Sequence, residues 1–191
     1  SGAFEVIGSK DVSMFEAKNL EKYDAVVLNN TCSKGDHRNL FWDKLRADSD
    51  ADSAVLMKKA LQMEENLLQY VEKGGGLLLV HGAVTTQNNS RAFSKLVGAS
   101  FDYHPPQQAI QIRLADPKHP LVQAFPATGF NHVDEPYFYK NAYADLDFKP
   151  LLYFNNAEIT NQKNPLTEGK TYVAWIRSQG KGKVMYCSPS H

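Results

Sequence analysis

The segment Gly74-Gly75-Gly76-Leu77-Leu78-Leu79-Val80-His81-Gly82-Ala83 decides the fold class of this sequence. Glycine stops a helix because it adopts the left-handed cap conformation without steric cost. A short apolar run is typical of a strand that is buried on both faces of a sheet. Just upstream, the apolar residues of 54–73 recur at helical spacing. A helix, a glycine stop, a buried strand and a turn together predict a doubly wound α/β sheet.

The rest of the chain continues this pattern. We predict a short helix over 90–97, a polar loop or insertion over 33–53, and further strands at 23–30, 109–114, 150–154, 171–176 and 183–187. Phe4 to Ile7 is also interpreted as a strand, which lacks the strand and helix that should precede it. A closing helix is expected after the last strand. The sequence is therefore interpreted as part of a longer protein.

Composition predicts one soluble domain over residues 1–191, with 42% hydrophobic and 22% charged residues. Lysines plus arginines equal aspartates plus glutamates at 21 each, so the basic excess typical of nucleic-acid binding is missing. The longest apolar run, Leu77 to Val80, is far shorter than the roughly 20 residues that span a bilayer. No nucleic-acid or membrane partner is expected. Self-association into a homo-oligomer is left open, as is the compartment.

Histidines follow two of the predicted strands. His81 comes directly after the strand that ends at Val80, and His191 follows the last predicted strand. His104 and His132 lie in loop-like segments beside aromatic or acidic residues. Ligands of open α/β sheets bind beyond the carboxyl ends of the strands, and imidazole serves there as acid, base or ligand. We therefore predict a shared polar pocket at this edge of the sheet.

Five segments, in order along the chain, resemble the ThuA-like (trehalose-utilisation) family. They are the glycine–strand–histidine segment 74–83, the segment 96–105 that ends in His104-Pro105, Asp116-Pro117-Lys118-His119-Pro120, Asp134-Glu135-Pro136-Tyr137, and the final strand 174–184 closing on His191. The resemblance runs from about residue 4 to the end.

This resemblance implies a flavodoxin-like, mainly parallel sheet with helices on both faces, similar to class I glutamine amidotransferases, with the first strand and helix missing. In those relatives the turn after the central strand presents a nucleophilic cysteine. Here that turn holds His81, while Cys32 and Cys187 fall elsewhere. Amide hydrolysis through a thiolate needs an activated sulfur at that turn, so amidotransferase activity is excluded.

The first hypothesis is a bacterial enzyme of carbohydrate metabolism, a hydrolase or lyase acting on trehalose, a related disaccharide or an oxidised keto-sugar. The acid–base residues would be His81, His104, Glu135 and His191, and the substrate-binding residues His132, Asp134 and Tyr137. A two-carboxylate glycosidase mechanism is disfavoured, because the adjacent Asp134 and Glu135 would point in opposite directions on an extended segment.

Two other hypotheses remain open. The acid–base set His81, His104, Glu135 and His191 would alternatively bind a divalent metal as cofactor, although no HxH or HxxxH spacing supports this. The third hypothesis is a non-catalytic sugar-binding module that uses the aromatic residues of 137–143. Structural roles are expected for His119 as a helix cap, Trp175 and the two cysteines in the core, and Arg113 in a surface ion pair.

Overall fold

The computed structural model describes residues 3–35, 37–141 and 148–190. The α-helices are α1 (Ala17–Leu20), α2 (Leu40–Ala47), α3 (Ser53–Glu72) and α4 (Arg91–Val97). The strands are β1 (Ala25–Asn29), β2 (Gly76–Val80), β3 (Ser100–Tyr103), β4 (Gln108–Leu114), β5 (Phe130–Asp134), β6 (Phe138–Lys140), β7 (Lys149–Asn155), β8 (Lys170–Gln179) and β9 (Gly182–Cys187). Short 3₁₀ segments lie at Val12–Phe15, His81–Thr85, Pro120–Val122 and Asn156–Glu158.

Capping residues set the ends of the helices. Asp52 accepts backbone hydrogen bonds at the start of α3, and Ser90 accepts one from the Phe93 N–H at the start of α4. α3 ends at Glu72, just before Gly74, as the glycine run predicts. α4 ends at Val97 and is capped by Gly98, whose φ of 107° lies in the left-handed region that glycine adopts most readily. In the described part of the chain, no helix has the length and apolar character needed to cross a membrane.

A seven-stranded sheet in the order β1-β2-β9-β8-β7-β4-β5 forms the main layer, and β3 pairs with β6 in a separate ribbon. Only the β1–β2 and β2–β9 pairings are parallel; the other four pairings of the sheet are antiparallel. The α/β class is therefore confirmed, but the sheet is mixed and not mainly parallel. The two-residue turn Gly180-Lys181 reverses the chain between β8 and β9, which makes this pairing antiparallel.

Two regions differ from the sequence prediction. Phe4 to Ile7 is not a strand: the segment pairs with no described strand, and Phe4 and Val6 are each 86% exposed. The predicted loop over 33–53 contains α2, which begins after Asn39 and buries Phe41. Its apolar residues Leu40, Phe41 and Leu45 share one helix face, and that face packs against the core.

Strand direction brings distant parts of the chain to the same edge of the sheet. Four successive antiparallel pairings separate β9 from β5, so β5 runs in the same direction as β9, β2 and β1. The carboxyl end of β5, at Asp134, therefore lies at the same edge as the carboxyl ends of the three parallel strands. This edge is called the carboxyl edge below.

Candidate functional site

The turn after β2 presents His81 at the carboxyl edge in a constrained backbone conformation. His81 has a φ of 51° and a side chain that is only 2% exposed. A left-handed backbone is uncommon for a residue other than glycine and is maintained only where the surroundings enforce it. Such backbone conformations concentrate at functional sites. The geometry of this turn is therefore consistent with the prediction, made from its position directly after β2, that His81 is a functional residue.

The residues around this turn are tightly packed. A Cβ atom on Gly82 would lie 2.3 Å from the Cys32 Sγ and 2.5 Å from the Asn30 Oδ1, so only glycine fits there without displacing both neighbours. Thr86 donates a hydrogen bond to the Thr31 carbonyl oxygen, which ties the turn to the segment after β1. The turn is therefore rigid, and its imidazole has a fixed direction.

Hydrogen bonds determine the tautomer of His81. Its Nδ1 lies 2.9 Å from the carbonyl oxygen of Ser188, just beyond the end of β9. A carbonyl oxygen only accepts, so we assign the hydrogen to Nδ1. In the neutral imidazole, Nε2 then carries the lone pair, and it lies 3.1 Å from the Tyr137 hydroxyl, which donates to it.

Glu135 lies between two imidazoles. Its Oε2 is 3.4 Å from the Nε2 of His81 and 3.7 Å from the Nε2 of His104. The Nδ1 of His104 is 2.9 Å from the Pro105 carbonyl oxygen, so the hydrogen of this ring is also assigned to Nδ1. The Nε2 atoms of both rings therefore lie near the same carboxylate oxygen, and the Nε2 of His81 also accepts from the Tyr137 hydroxyl. Two imidazoles and one carboxylate, the side-chain types that serve as acids and bases, are thus close neighbours.

Tyr137 completes the cluster as a neutral donor. Burial raises the pKa of its phenol, and the charge of Glu135 raises it further. The ring of Tyr137 stacks on His104 with centroids 5.4 Å apart and also contacts Phe101. The hydroxyl therefore keeps its proton near neutral pH, and the ring supports the other members of the site.

The ribbon of β3 and β6 carries half of this site. His104 follows β3, and Tyr137 precedes β6. In a flat sheet, the five strand spacings between β2 and β5 would separate His81 from Glu135 by about 24 Å. The observed 3.4 Å shows that the sheet curls and that the segment after β5 folds back over the carboxyl edge.

His132 and Asp134, which were predicted to bind substrate, lie beside each other and outside the group of side chains around Glu135. Asp134 is 2% exposed, and its Oδ1 accepts from the Glu135 N–H at 2.8 Å, which is the local turn contact expected for an Asp. The Nε2 of His132 is 3.2 Å from the Asp134 Oδ2, without the alignment of a hydrogen bond. No contact links His132 to His81 among the described interactions, so the structure groups His132 with Asp134. His191 and Tyr143, also predicted from sequence, lie outside the described residues.

The structure describes the residues that were expected to have structural roles. His119 accepts from the Leu121 N–H and caps a 3₁₀ segment, Trp175 is buried, and Arg113 pairs with Glu158 at 2.7 Å. The three structural predictions are confirmed. Both cysteines are free and partly buried: Cys187 packs against the core as predicted, whereas Cys32 borders the turn after β2. Within the described ranges, no three His, Cys, Asp or Glu side chains are arranged to hold a metal ion.

Sequence reasoning missed Cys32 as a neighbour of the site. It follows β1, contacts Gly82, and lies close enough to influence Tyr137. The available signal was its position directly after a predicted parallel strand.

The family model described as "ThuA: Trehalose utilisation" matches residues 1–191. The chain belongs to the ThuA family. A search of curated proteins finds no significant match. Because the family model covers the whole sequence, the resemblance expected from the five segments is confirmed.

Solved structures support the fold of this ThuA family member. A ThuA-like protein from Bacteroides uniformis superposes with a TM-score of 0.68 and 19% identity, covering 96% of this chain and 66% of the other. A cytoplasmic protein from Salmonella typhimurium gives 0.54 and 17%, covering 90% and 62%. A ThuA-like protein from Parabacteroides merdae gives 0.53 and 15%, covering 66% and 54%. The chain spans about two thirds or less of the length of these structures.

The thiol of Cys187, the last residue of β9, provides a test of how buried this part of the carboxyl edge is. Burial raises the pKa of Cys187 to about 11 from an ordinary value of 9.0, and the Asp134 charge contributes. In a Cys32→Ser variant at pH 8, we expect DTNB to react about 100-fold more slowly than with an ordinary thiol. The rate should rise with pH up to about 11, because only the thiolate attacks. The same variant unfolded in guanidinium is the control; equal rates in the two states would contradict the burial.

Proposed function

We propose that this protein is a sugar-transforming enzyme that moves protons within the cluster of His81, His104, Glu135 and Tyr137. The observation that carries the proposal is the convergence of both Nε2 atoms on the Glu135 Oε2, at 3.4 and 3.7 Å. General acid–base catalysis requires such groups within hydrogen-bond reach of one another and of a substrate proton. Membership of a family described by trehalose utilisation supports a disaccharide or a keto-sugar derived from it as substrate.

The chemistry that suits this cluster is proton abstraction next to a carbonyl group. In a keto-sugar, the carboxylate of Glu135 removes a proton from the carbon beside the carbonyl, and the carbonyl oxygen takes up the negative charge. The Tyr137 hydroxyl turns from the Nε2 of His81 and donates to that oxygen, which lowers the energy of the enediolate. Isomerisation follows when protonated Glu135 delivers the proton to the former carbonyl carbon and the neighbouring hydroxyl gives its proton to the first oxygen, so that the carbonyl group moves to the adjacent carbon. Elimination follows when the oxygen substituent on the next carbon leaves with its bonding electrons and takes the proton from Glu135, which gives an alcohol and a carbon–carbon double bond.

His81 and Tyr137 contribute in different ways. The Ser188 carbonyl holds the proton on the Nδ1 of His81, so only Nε2 exchanges protons with the substrate. Tyr137 stays neutral because its pKa is raised, and it therefore acts as a hydrogen-bond donor.

We further propose that β1, β2 and β9 with their helices are the remnant of a flavodoxin-like arrangement.

The non-catalytic alternative finds less support. Tyr137 and Phe138 are 6% and 5% exposed, so their rings pack inward and offer little face to a sugar. His132 and Asp134, which the sequence favoured as substrate binders, are assigned supporting roles below.

A substrate panel tests the proposal. The purified full-length protein is incubated with trehalose, related disaccharides and their keto derivatives, and the products are followed by chromatography and NMR. We expect turnover of at least one keto-sugar. Absence of turnover with every member of the panel would overturn the proposed enzyme class.

A further inference from the structure

A buried carboxylate links the two segments that build the site. Asp134, the last residue of β5, is 2% exposed. Its Oδ1 accepts from the Glu135 N–H at 2.8 Å, and its Oδ2 accepts from the Ser190 N–H at 3.0 Å. A single side chain therefore connects the segment that carries Glu135 to the segment that follows β9.

The second segment matters because it contains the partner of His81. Two residues before Ser190, the Ser188 carbonyl oxygen receives the Nδ1 hydrogen of His81. The Ser188 N–H in turn donates to the Val173 carbonyl oxygen at 2.7 Å, which fixes the backbone on the amino side of the Ser188 carbonyl to β8. The hydrogen bond from the Ser190 N–H to Asp134 fixes the backbone on the carboxyl side of the same carbonyl.

We propose that Asp134 is a positioning residue that sets the tautomer of His81 and the location of Glu135 at the same time. A carboxylate has two oxygens that both accept, so it can receive two backbone N–H groups that approach from different segments. Hydrogen bonds to a charged acceptor are about twice as strong as neutral ones. Asp134 therefore keeps the general base and the imidazole in one geometry without contacting the substrate.

His132 lies beside the same carboxylate oxygen that accepts from Ser190. Its Nε2 lies 3.2 Å from the Asp134 Oδ2, and its side chain is 24% exposed. The pair of His132 and Asp134, which the sequence suggested as a substrate site, thus acts one step away from the cluster. The kinetic part of this inference rests on the proposed function, whereas the tautomer of His81 does not.

The test is the Asp134→Asn variant, studied by ¹⁵N NMR of the histidine rings and by kinetics. An asparagine offers one acceptor and one NH₂ group, so one of the two backbone N–H groups would face a donor. We expect neutral His81 to change from the Nδ1–H form to a mixture of tautomers. We also expect kcat to fall about 10- to 100-fold, with KM changed less than about threefold.

A matched control and a second variant complete the experiment. Asp116→Asn changes an exposed aspartate that also accepts a backbone N–H, beyond the opposite end of β4, and should leave both readouts unchanged. Ser190→Pro removes the N–H donor to Asp134, together with an exposed side-chain hydroxyl, and fixes φ at this position. It should shift the tautomer in the same direction even if Asp134→Asn fails to fold. An unchanged His81 tautomer in the folded variants would overturn the inference. A shifted tautomer in a protein that turns over no sugar would instead refute only the proposed function.

Discussion

His81→Asn is expected to lower kcat/KM for the substrate found in the panel by about 10²- to 10⁴-fold, the usual contribution of general acid–base catalysis. The variant loses the Nε2 atom that lies 3.4 Å from Glu135 and 3.1 Å from the Tyr137 hydroxyl. Asparagine suits the test because it tolerates the left-handed backbone of this position, where φ is 51°. Steady-state kinetics on the variant and the parent measures the effect.

His37→Asn is the matched control for this variant. His37 is exposed, and its ring packs edge-on against Trp42; none of its described contacts involves a residue of the cluster. The control should retain parental activity. A His81→Asn protein with parental kcat/KM would show that the imidazole takes no part in turnover.

Trp175→Ala should have the largest effect on stability, lowering the free energy of unfolding by about 3–5 kcal/mol. The indole is 2% exposed and contacts the rings of Tyr139, Phe148 and Tyr186. Its Nε1 donates to the Val97 carbonyl oxygen at 2.7 Å, at the end of α4. Removing the side chain leaves a cavity and an unpaired carbonyl group. Urea unfolding followed by circular dichroism measures the change.

Two comparison variants separate the contributions to this stability. Trp175→Phe keeps a ring but loses the N–H donor, and we expect a cost of about 1–3 kcal/mol from the unpaired Val97 carbonyl, in addition to the smaller ring. Val55→Ala on the exposed face of α3 should change stability by less than about 0.5 kcal/mol. Equal unfolding midpoints for Trp175→Ala and the parent would contradict the packing described around the indole.

The parallel part of the fold could be predicted from the sequence because each signal there is local. The glycine run that follows α3, the apolar β2 and the polar turn at His81 all lie within a few consecutive residues. The helix α2 was missed although Asn39 and the spacing of its apolar residues were visible. The many polar residues around it favoured a loop, and packing against the core outweighed that composition.

The antiparallel part and the full site could not be predicted in the same way. Period-two alternation indicates a strand such as β4, but it does not identify the neighbouring strands or their direction. The curl that brings Glu135 to His81 depends on contacts across more than 50 residues. The roles of Tyr137 and Asp134 also depend on contacts that residue type does not predict. The Tyr137 hydroxyl bonds to His81, and the Asp134 carboxylate accepts from backbone N–H groups.

Exchange of hydrogen with solvent is a direct test of the proposed proton transfer between a sugar and the pair of Glu135 and His81. The protein is incubated in D₂O with the keto-sugars of the panel, and ¹H NMR follows the hydrogen on the carbon beside the carbonyl. We expect deuterium incorporation by the parent protein and a rate that is lower by at least about 10²-fold in Glu135→Gln, which keeps the shape of the side chain and loses the base. Equal incorporation by parent and variant, or none above the protein-free rate, would contradict it.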